Sequence, residues 1–190
     1  ALPIWYLYPE LCPDKDNKSA IRDLGTQEEL RVPCQKPGIR EATIEVGAVD
    51  QALVSRHYEM HIGDDLVNHI NSATKEQINK VDSFIKASYG LLEPNVGKCY
   101  LIGTRWNFDD PYGRILEDKT TSFSVYVRKI LEPNEEGTQV SIFPERFPKS
   151  EIKKIKKNMG NYLFSSQMLN EPVSAEDQVF KTEWLKHYHD

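Results

Sequence analysis

The order of apolar and polar residues divides the chain into stretches of different period. Residues 1–40 are broken by Pro3, Pro9, Pro13, Pro33 and Pro37 and carry a charged run from Asp14 to Lys18, so little regular structure is expected there. Leu30 to Pro33 and Ala42 to Val49 are β-branched and partly alternating, with Pro37-Gly38 between them, which predicts two strands joined by a turn. Tyr58 to Val67 is a candidate strand ending in two acids, although Glu59, His61 and Gly63 are poor residues for the centre of a parallel sheet. A helix is expected next. Thr74 and Gln77 have capping-box spacing, Ile78, Val81, Phe84, Ile85 and Ser88 share a face, and Gly90 stops it. After the Pro94-Asn95-Val96-Gly97 turn, Lys98 to Gly103 is the short, mostly apolar run of a buried strand.

Asp110-Pro111 has the chemistry of a helix start, and Tyr112, Ile115 and Leu116 are the expected buried stripe behind it. Ser122 to Leu131 alternates, with Phe123, Val125 and Val127 on one side, and predicts a third strand. Strand, helix, strand, helix, strand is the order of an α/β fold with a mostly parallel sheet. Beyond Pro144 the pattern becomes helical. Ser150 to Met159 places Ile152, Ile155 and Met159 inward and Lys153, Lys154, Lys156 and Lys157 outward; Gly160 ends it, and Tyr162 to Leu169 forms a second short helix. Residues 173–190 read as a tether with an aromatic cluster of Phe180, Trp184 and Tyr188. The resulting organisation is an irregular N-terminal segment with a strand over 1–40, an α/β region over 41–140, and a helical region over 141–190.

Composition narrows the class without naming a function. The 190 residues hold 24 Lys plus Arg and 29 Asp plus Glu, a net charge of −5, with 39% hydrophobic and 28% charged residues, as in a globular protein of mixed sign. No apolar run reaches the ~18–20 residues of a membrane span, and Ala1 to Tyr8 lacks the build of a secretion signal, so a cytoplasmic protein without membrane contact is expected. Cys12, Cys34 and Cys99 are odd in number and far apart, which predicts reduced thiols rather than a disulfide framework or a zinc site.

Four groups could carry chemistry. Asp64-Asp65 at the end of a strand could hold Mg²⁺ and orient an attacking water beside phosphates, as paired acids do in nucleotide hydrolysis; a solvated turn is the bland alternative. Gly103-Thr104-Arg105-Trp106, leaving the next strand, could place the Thr104 hydroxyl near a γ-phosphate and let Arg105 swing toward charge, or could be an ordinary strand exit. His57, Glu59 and His61 would share a face of a strand, an unspecific metal arrangement, and residue 58 is Tyr where a zincin helix needs Glu; His187 and His189 add nothing firmer. The lysines between Lys149 and Lys157 could neutralise DNA phosphates without reading sequence, or could be a solvated helix face.

Taken in order, several segments resemble the large terminase subunit of tailed bacteriophages, the ATP-driven DNA-packaging motor. They are His57-Tyr58 with Ile62-Gly63-Asp64-Asp65-Leu66-Val67-Asn68, then Leu101 to Trp106, Asp109 to Ile115, Phe143 to Phe147, Phe164 to Pro172 and Phe180 to Trp184, together spanning about residues 40–185. The resemblance implies the second half of an ASCE-type P-loop ATPase domain, a partial and mostly parallel sheet with an N-terminal β-hairpin, and then a helical linker toward a nuclease domain. It implies ATP and Mg²⁺ as cofactors, with Asp64 and Asp65 at the metal, Asp65 activating water, and Gly103-Thr104, with Arg105 beside them, sensing the γ-phosphate. Expected partners are double-stranded DNA without sequence specificity, a portal protein, a small terminase subunit, and further copies in a ring. The expected place is the cytoplasm of an infected bacterium, transiently on the procapsid. The family's phosphate loop would lie upstream of Ala1 and its nuclease carboxylates beyond Asp190. Asp65 stands where Glu is commoner, and Gly63 where an apolar residue is usual. Two rival expectations are a non-catalytic interaction module built on residues 149–170 and the aromatic tail, and a metal-dependent hydrolase using His57, His61 and Asp64.

Overall fold

A computed structural model describes residues 25–36, 38–51 and 56–173. Pro37, Cys12, the aromatic cluster of Phe180, Trp184 and Tyr188, and His187 and His189 lie outside the described residues. The elements in chain order are β1 (Glu29–Leu30), β2 (Ile44–Glu45), β3 (Met60–Asp64), α1 (Lys75–Tyr89), β4 (Lys98–Ile102), α2 (Pro111–Glu117), β5 (Leu131–Pro133), β6 (Gln139–Ser141) and α3 (Lys149–Leu169). The described residues are mixed α/β with three two-stranded sheets, β1-β2, β3-β4 and β5-β6. It divides into two compact units, one of residues up to 60 together with 87–98, the other of residues 61–86 together with those from 99 onward. No described helix is long and apolar enough to cross a membrane.

In the first unit β1 and β2 are antiparallel, with Glu29 opposite Glu45 and Leu30 opposite Ile44. Two acids directly opposite each other repel. Arg56 offsets this by pairing with both carboxylates, and the Tyr58 hydroxyl donates a further hydrogen bond to Glu45. Burial pushes the Tyr58 hydroxyl above its ordinary pKa, while the Arg56 charge pulls it back. Tyr58 also makes a parallel bridge to Leu92, its N–H donating to Leu91 O at 2.8 Å and its carbonyl accepting from Glu93 N at 2.9 Å.

The second unit contains nearly all of β3 and β4, which among the described strands are the one parallel pair. At one end Lys98 N donates to Glu59 O at 2.9 Å and at the other Asp65 N donates to Ile102 O at 3.0 Å, so both strands advance in the same direction. Helix α1 is the crossover between them, and its start is set locally. Thr74 Oγ1 accepts from Gln77 N at 3.3 Å and Gln77 Oε1 from Thr74 N at 3.2 Å, the reciprocal capping box expected from the sequence. Ile78, Val81, Ile85 and Ser88 are buried along one face, as their spacing requires.

Alternation splits β3 and β4 between two faces. Met60, Ile62, Tyr100 and Ile102 are exposed, whereas His61, Gly63, Cys99 and Leu101 point the other way. Gly63 is explained by close approach, because a Cβ there would lie 2.6 Å from Leu66 Cδ1 and 2.8 Å from Leu101 Cδ2. His61 Nδ1 lies 3.7 Å from Cys99 Sγ, and burial lowers the imidazole pKa. An unfolded His61 therefore takes up its proton at a higher pH than the folded one. Folding stability is unaffected by this group above its ordinary value near 6.5 and falls as the pH drops below it. Denaturant titrations at pH 7.5 and 5.0 should show a loss on acidification that shrinks in His61→Gln.

Two expectations are corrected. Ser122 to Leu131 is not a third strand of a parallel sheet: residues 121–129 belong to no ladder, and the strand begins at Leu131. It forms an antiparallel hairpin, with Leu131 opposite Ser141, Glu132 opposite Val140 and Pro133 opposite Gln139. Asn134 closes this hairpin by accepting the amides of Glu136 and Thr138 on its side chain. In α2 the buried positions are Pro111 and Gly113, whereas Leu116 is 41% exposed.

Helix α3 is interrupted where Gly160 predicts a stop. Gly160 has φ 76° and ψ 166°, a conformation essentially confined to glycine, and it separates the lysine-rich half from the half carrying Phe164. Ile152 from the first half and Phe164 from the second pack with Ile130, and Leu131, Phe147, Ile155, Met168 and Leu169 close around them. The apolar stripe of both halves is thus used in the core of the second unit.

Candidate functional site

Both candidate motifs leave the same edge of the parallel pair. Asp64 is the last residue of β3 and Asp65 the first beyond it; Gly103 and Thr104 follow directly on β4. The Asp65 N–H to Ile102 carbonyl bond ties the two exits together at that edge. Carboxyl ends of adjacent parallel strands joined by a crossover helix are where α/β proteins gather ligand-binding loops. Asp65 has φ 47°, in the left-handed region that Asp and Asn enter more readily than other non-glycine residues, so the chain turns sharply there. Asp64 and Asp65 are exposed, and neither carboxylate has a hydrogen bond or ion pair to a described residue. The Thr104 hydroxyl is half-buried and likewise has no partner among the described residues.

The loop after Asp65 is fixed by its own asparagines. Asn68 Oδ1 accepts from Ile70 N and Asn71 N at 2.9 and 3.0 Å, and Asn71 returns bonds to Asn68 N and Leu66 O, both at 2.8 Å. Tyr112 on α2 then joins the two exits. Its hydroxyl donates to Ile102 O at 3.0 Å, and its ring lies so close over Gly103 that a Cβ there would fall 2.5 Å from the phenolic oxygen. Burial pushes the Tyr112 hydroxyl up to about 12, the amides of Leu66 and Val67 pull it down, and the Asp65 charge raises it further. Tyr112 is therefore a neutral donor at physiological pH. Gly103 has a packing reason to be glycine, independent of any ligand.

Arg105 is held inward. Its Nε donates to Asp110 Oδ1 at 2.9 Å and an Nη donates to the carbonyls of Asn107 and Phe108, at 3.3 and 2.8 Å, and a Cβ on Gly113 would collide with its guanidinium. A guanidinium so occupied must release these bonds before it can reach a phosphate.

Asp110 is the residue that sequence reasoning undervalued. Beyond capping α2 through Gly113 N at 2.7 Å, it accepts from Trp106 N at 2.9 Å, Asn107 N at 3.1 Å and Arg105, and it is fully buried. Its carboxylate gathers the whole turn from 105 to 113 around one charge. The turn is in turn fastened to α3 and to the loop after β3. Ser166 Oγ donates to Arg105 O, Tyr162 Oη to Trp106 O at 3.3 Å, and Asn170 Oδ1 accepts from Arg105 N at 3.2 Å. Asn107 Nδ2 donates to Ser72 O at 2.9 Å. The Arg105 to Asp110 spacing around a helix start was a readable signal; the Ser166 and Asn170 contacts span more than 60 residues and had none.

Beside this turn lies a cavity of about 340 Å³, lined on one side by Leu101, Gly103 and Tyr112 and on the other by Phe123, Val125 and Val127. Ser124, Val125, Tyr126 and Val127 have no backbone hydrogen bond to a described residue, and β4 pairs with no described strand other than β3.

The third group does not assemble. On β3, His61 and Asp64 face opposite sides, His57 pairs weakly with Glu93 at 3.9 Å, and no three His, Cys, Asp or Glu side chains among the described residues converge to hold a metal. The expected hydrolase site of His57, His61 and Asp64 has no geometric basis. As for the interaction-module reading, Ile152, Ile155, Phe164, Met168 and Leu169 pack into the core of the second unit, and the aromatic tail lies outside the described residues. No family model and no curated protein matches the chain.

Proposed function

We propose that the chain is part of a Mg²⁺-dependent, ATP-driven motor of the terminase large-subunit type, which packages viral double-stranded DNA. The observation that carries the reading is the common edge: Asp64-Asp65 and Gly103-Thr104 leave adjacent parallel strands side by side, with their polar side chains free of described partners. Mg²⁺ is well served by one or two exposed carboxylates that leave room for water and phosphate oxygens, and Asp64 and Asp65 offer that donor set. Bound there, the ion would neutralise charge on the β- and γ-phosphates. Asp64 would hold it, Asp65 would orient the attacking water, and Thr104 would report the state of the γ-phosphate through the turn that Asp110 organises. Arg105 is assigned to that turn, through Asp110, as a positioning residue.

The reading also asks for a further strand that brings the phosphate-binding loop to this edge. Among the described residues, the side of β4 away from β3 and the segment 124–127 have no strand partner, and the cavity that both line supports such a strand. A P-loop half-sheet, DNA as cargo, portal and small-subunit partners, a ring of copies, an associated endonuclease, and action in the infected cell on the procapsid all belong to this proposal.

The test uses the polypeptide encoded by the complete reading frame. Asp64→Asn should raise the Mg²⁺ concentration for half-maximal ATP turnover by about tenfold or more, roughly 1.4 kcal/mol of metal affinity, with an unchanged circular dichroism spectrum. An unchanged Mg²⁺ requirement removes Asp64 from the metal. Absence of a Gly-x-x-x-x-Gly-Lys-Ser/Thr loop upstream removes the ATPase class.

A further inference from the structure

We infer that the lysine-rich half of α3, with Arg146 before it, is a docking surface for the phosphate backbone of duplex DNA. The choice of duplex DNA over other polyanions rests in part on the motor reading; the surface itself rests on charge and packing. Between residues 146 and 157 six cations, Arg146, Lys149, Lys153, Lys154, Lys156 and Lys157, accompany the single acid Glu151, in a chain whose net charge is −5. All six are exposed. Lys154 pairs with Glu151 at 3.2 Å, and Lys149, Lys153 and Lys157 have no ion pair to a described residue. Lys156 Nζ sits 5.5 Å from the Phe164 ring centroid and the Arg146 guanidinium 5.4 Å from that of Phe147, which restrains both cations against the core.

Lys149, Lys153 and Lys157 recur every fourth residue and so form a row about 12 Å long on one side of the helix. Concentrating unneutralised charge this way costs self-repulsion, which a polyanion relieves. The packing narrows the partner. A membrane-surface helix needs an apolar face to insert, but Ile152 and Ile155 are already packed in the core. Single strands are gripped by stacking on aromatic side chains, and residues 149–159 contain none. The row of Lys149, Lys153 and Lys157, with no aromatic between them and the helix's Ile152 and Ile155 packed away, fits regularly spaced phosphates of a duplex, contacted without sequence reading.

The experiment measures anisotropy of a labelled 30-bp duplex titrated with the 190-residue chain between 50 and 200 mM KCl. About four phosphate contacts predict a log–log salt slope near −3.6 and an affinity loss of about 10²-fold over that range. Lys149→Gln/Lys153→Gln/Lys157→Gln should flatten the slope by about 2.7, whereas the charge-matched control Lys36→Gln/Lys75→Gln/Lys119→Gln should leave it unchanged, both with wild-type circular dichroism. Equal losses in the two triple variants, equal binding of a 30-nucleotide single strand, binding to phosphatidylserine vesicles that the Lys149 triple weakens as much, or no duplex binding at 50 mM KCl each overturn the proposal. Duplex binding as predicted together with an unchanged Mg²⁺ requirement in Asp64→Asn would keep this surface and discard the motor reading. The reverse pair of results would discard the surface alone.

Discussion

Asp110→Ala should destabilise the second unit by about 3–5 kcal/mol, the cost of removing one partner from a buried ion pair. The carboxylate is fully buried and accepts from Trp106 N, Asn107 N, Gly113 N and Arg105 Nε. Alanine leaves three amides short of their acceptor and a guanidinium, its side chain 14% exposed, without its counter-charge. Asp110→Asn keeps one acceptor oxygen and the shape, so it should cost less, though its amide would face Arg105 or the loop amides with a donor. Urea denaturation followed by circular dichroism measures both. A loss under about 1 kcal/mol for Asp110→Ala would mean that the 105–113 turn is held from outside, through Ser166, Tyr162 and Asn170 of the α3 region and through the Asn107 bond to Ser72.

The second large effect concerns chemistry. Asp65→Asn preserves the turn, because Asn tolerates the left-handed φ of 47° as well as Asp does, and it removes the one charge able to orient and deprotonate water at that position. Loss of a positioned general base costs about 10²–10⁴ in rate. The loss should fall on kcat with KM for ATP nearly unchanged, since a group acting on water contributes to the transition state and little to nucleotide binding. Asp65→Glu, the longer acid, should retain turnover.

What the sequence made legible was local. The capping box of Thr74 and Gln77, the Asp110-Pro111 helix start and the break at Gly160 each depend on residues within a few positions, and each appears where the spacing placed it. The buried face of α1 was equally readable, because a 3.6-residue period survives whatever the helix packs on. The segment from Ser122 failed for the opposite reason. Alternation of Phe123, Val125 and Val127 describes a strand-like conformation, but a strand exists only with a paired neighbour, and pairing is not local. The hairpin beginning at Leu131 has its own local signal in Pro133, Asn134 and Gly137, a turn cluster weaker than the longer alternating run before it.

The candidate edge was half legible. That Asp64-Asp65 and Gly103-Thr104 follow strands could be read; that the strands are adjacent and parallel, placing both exits at one edge, needed the structure. Arg105 shows the limit most clearly. Its residue type and position suggest a free cation beside phosphates, yet Asp110, five residues on, holds it in the turn. Sequence distance could have paired them, but only burial shows that the pair is the centre of the loop.

The measurement that bears most directly on the central claim is steady-state ATP hydrolysis by the complete encoded polypeptide, wild type against Asp65→Asn, at saturating Mg²⁺. The account predicts Mg²⁺-dependent turnover that falls by at least about 10²-fold in the variant, with KM little changed. Turnover of the variant equal to wild type would contradict the assignment of this edge as the site of phosphate chemistry.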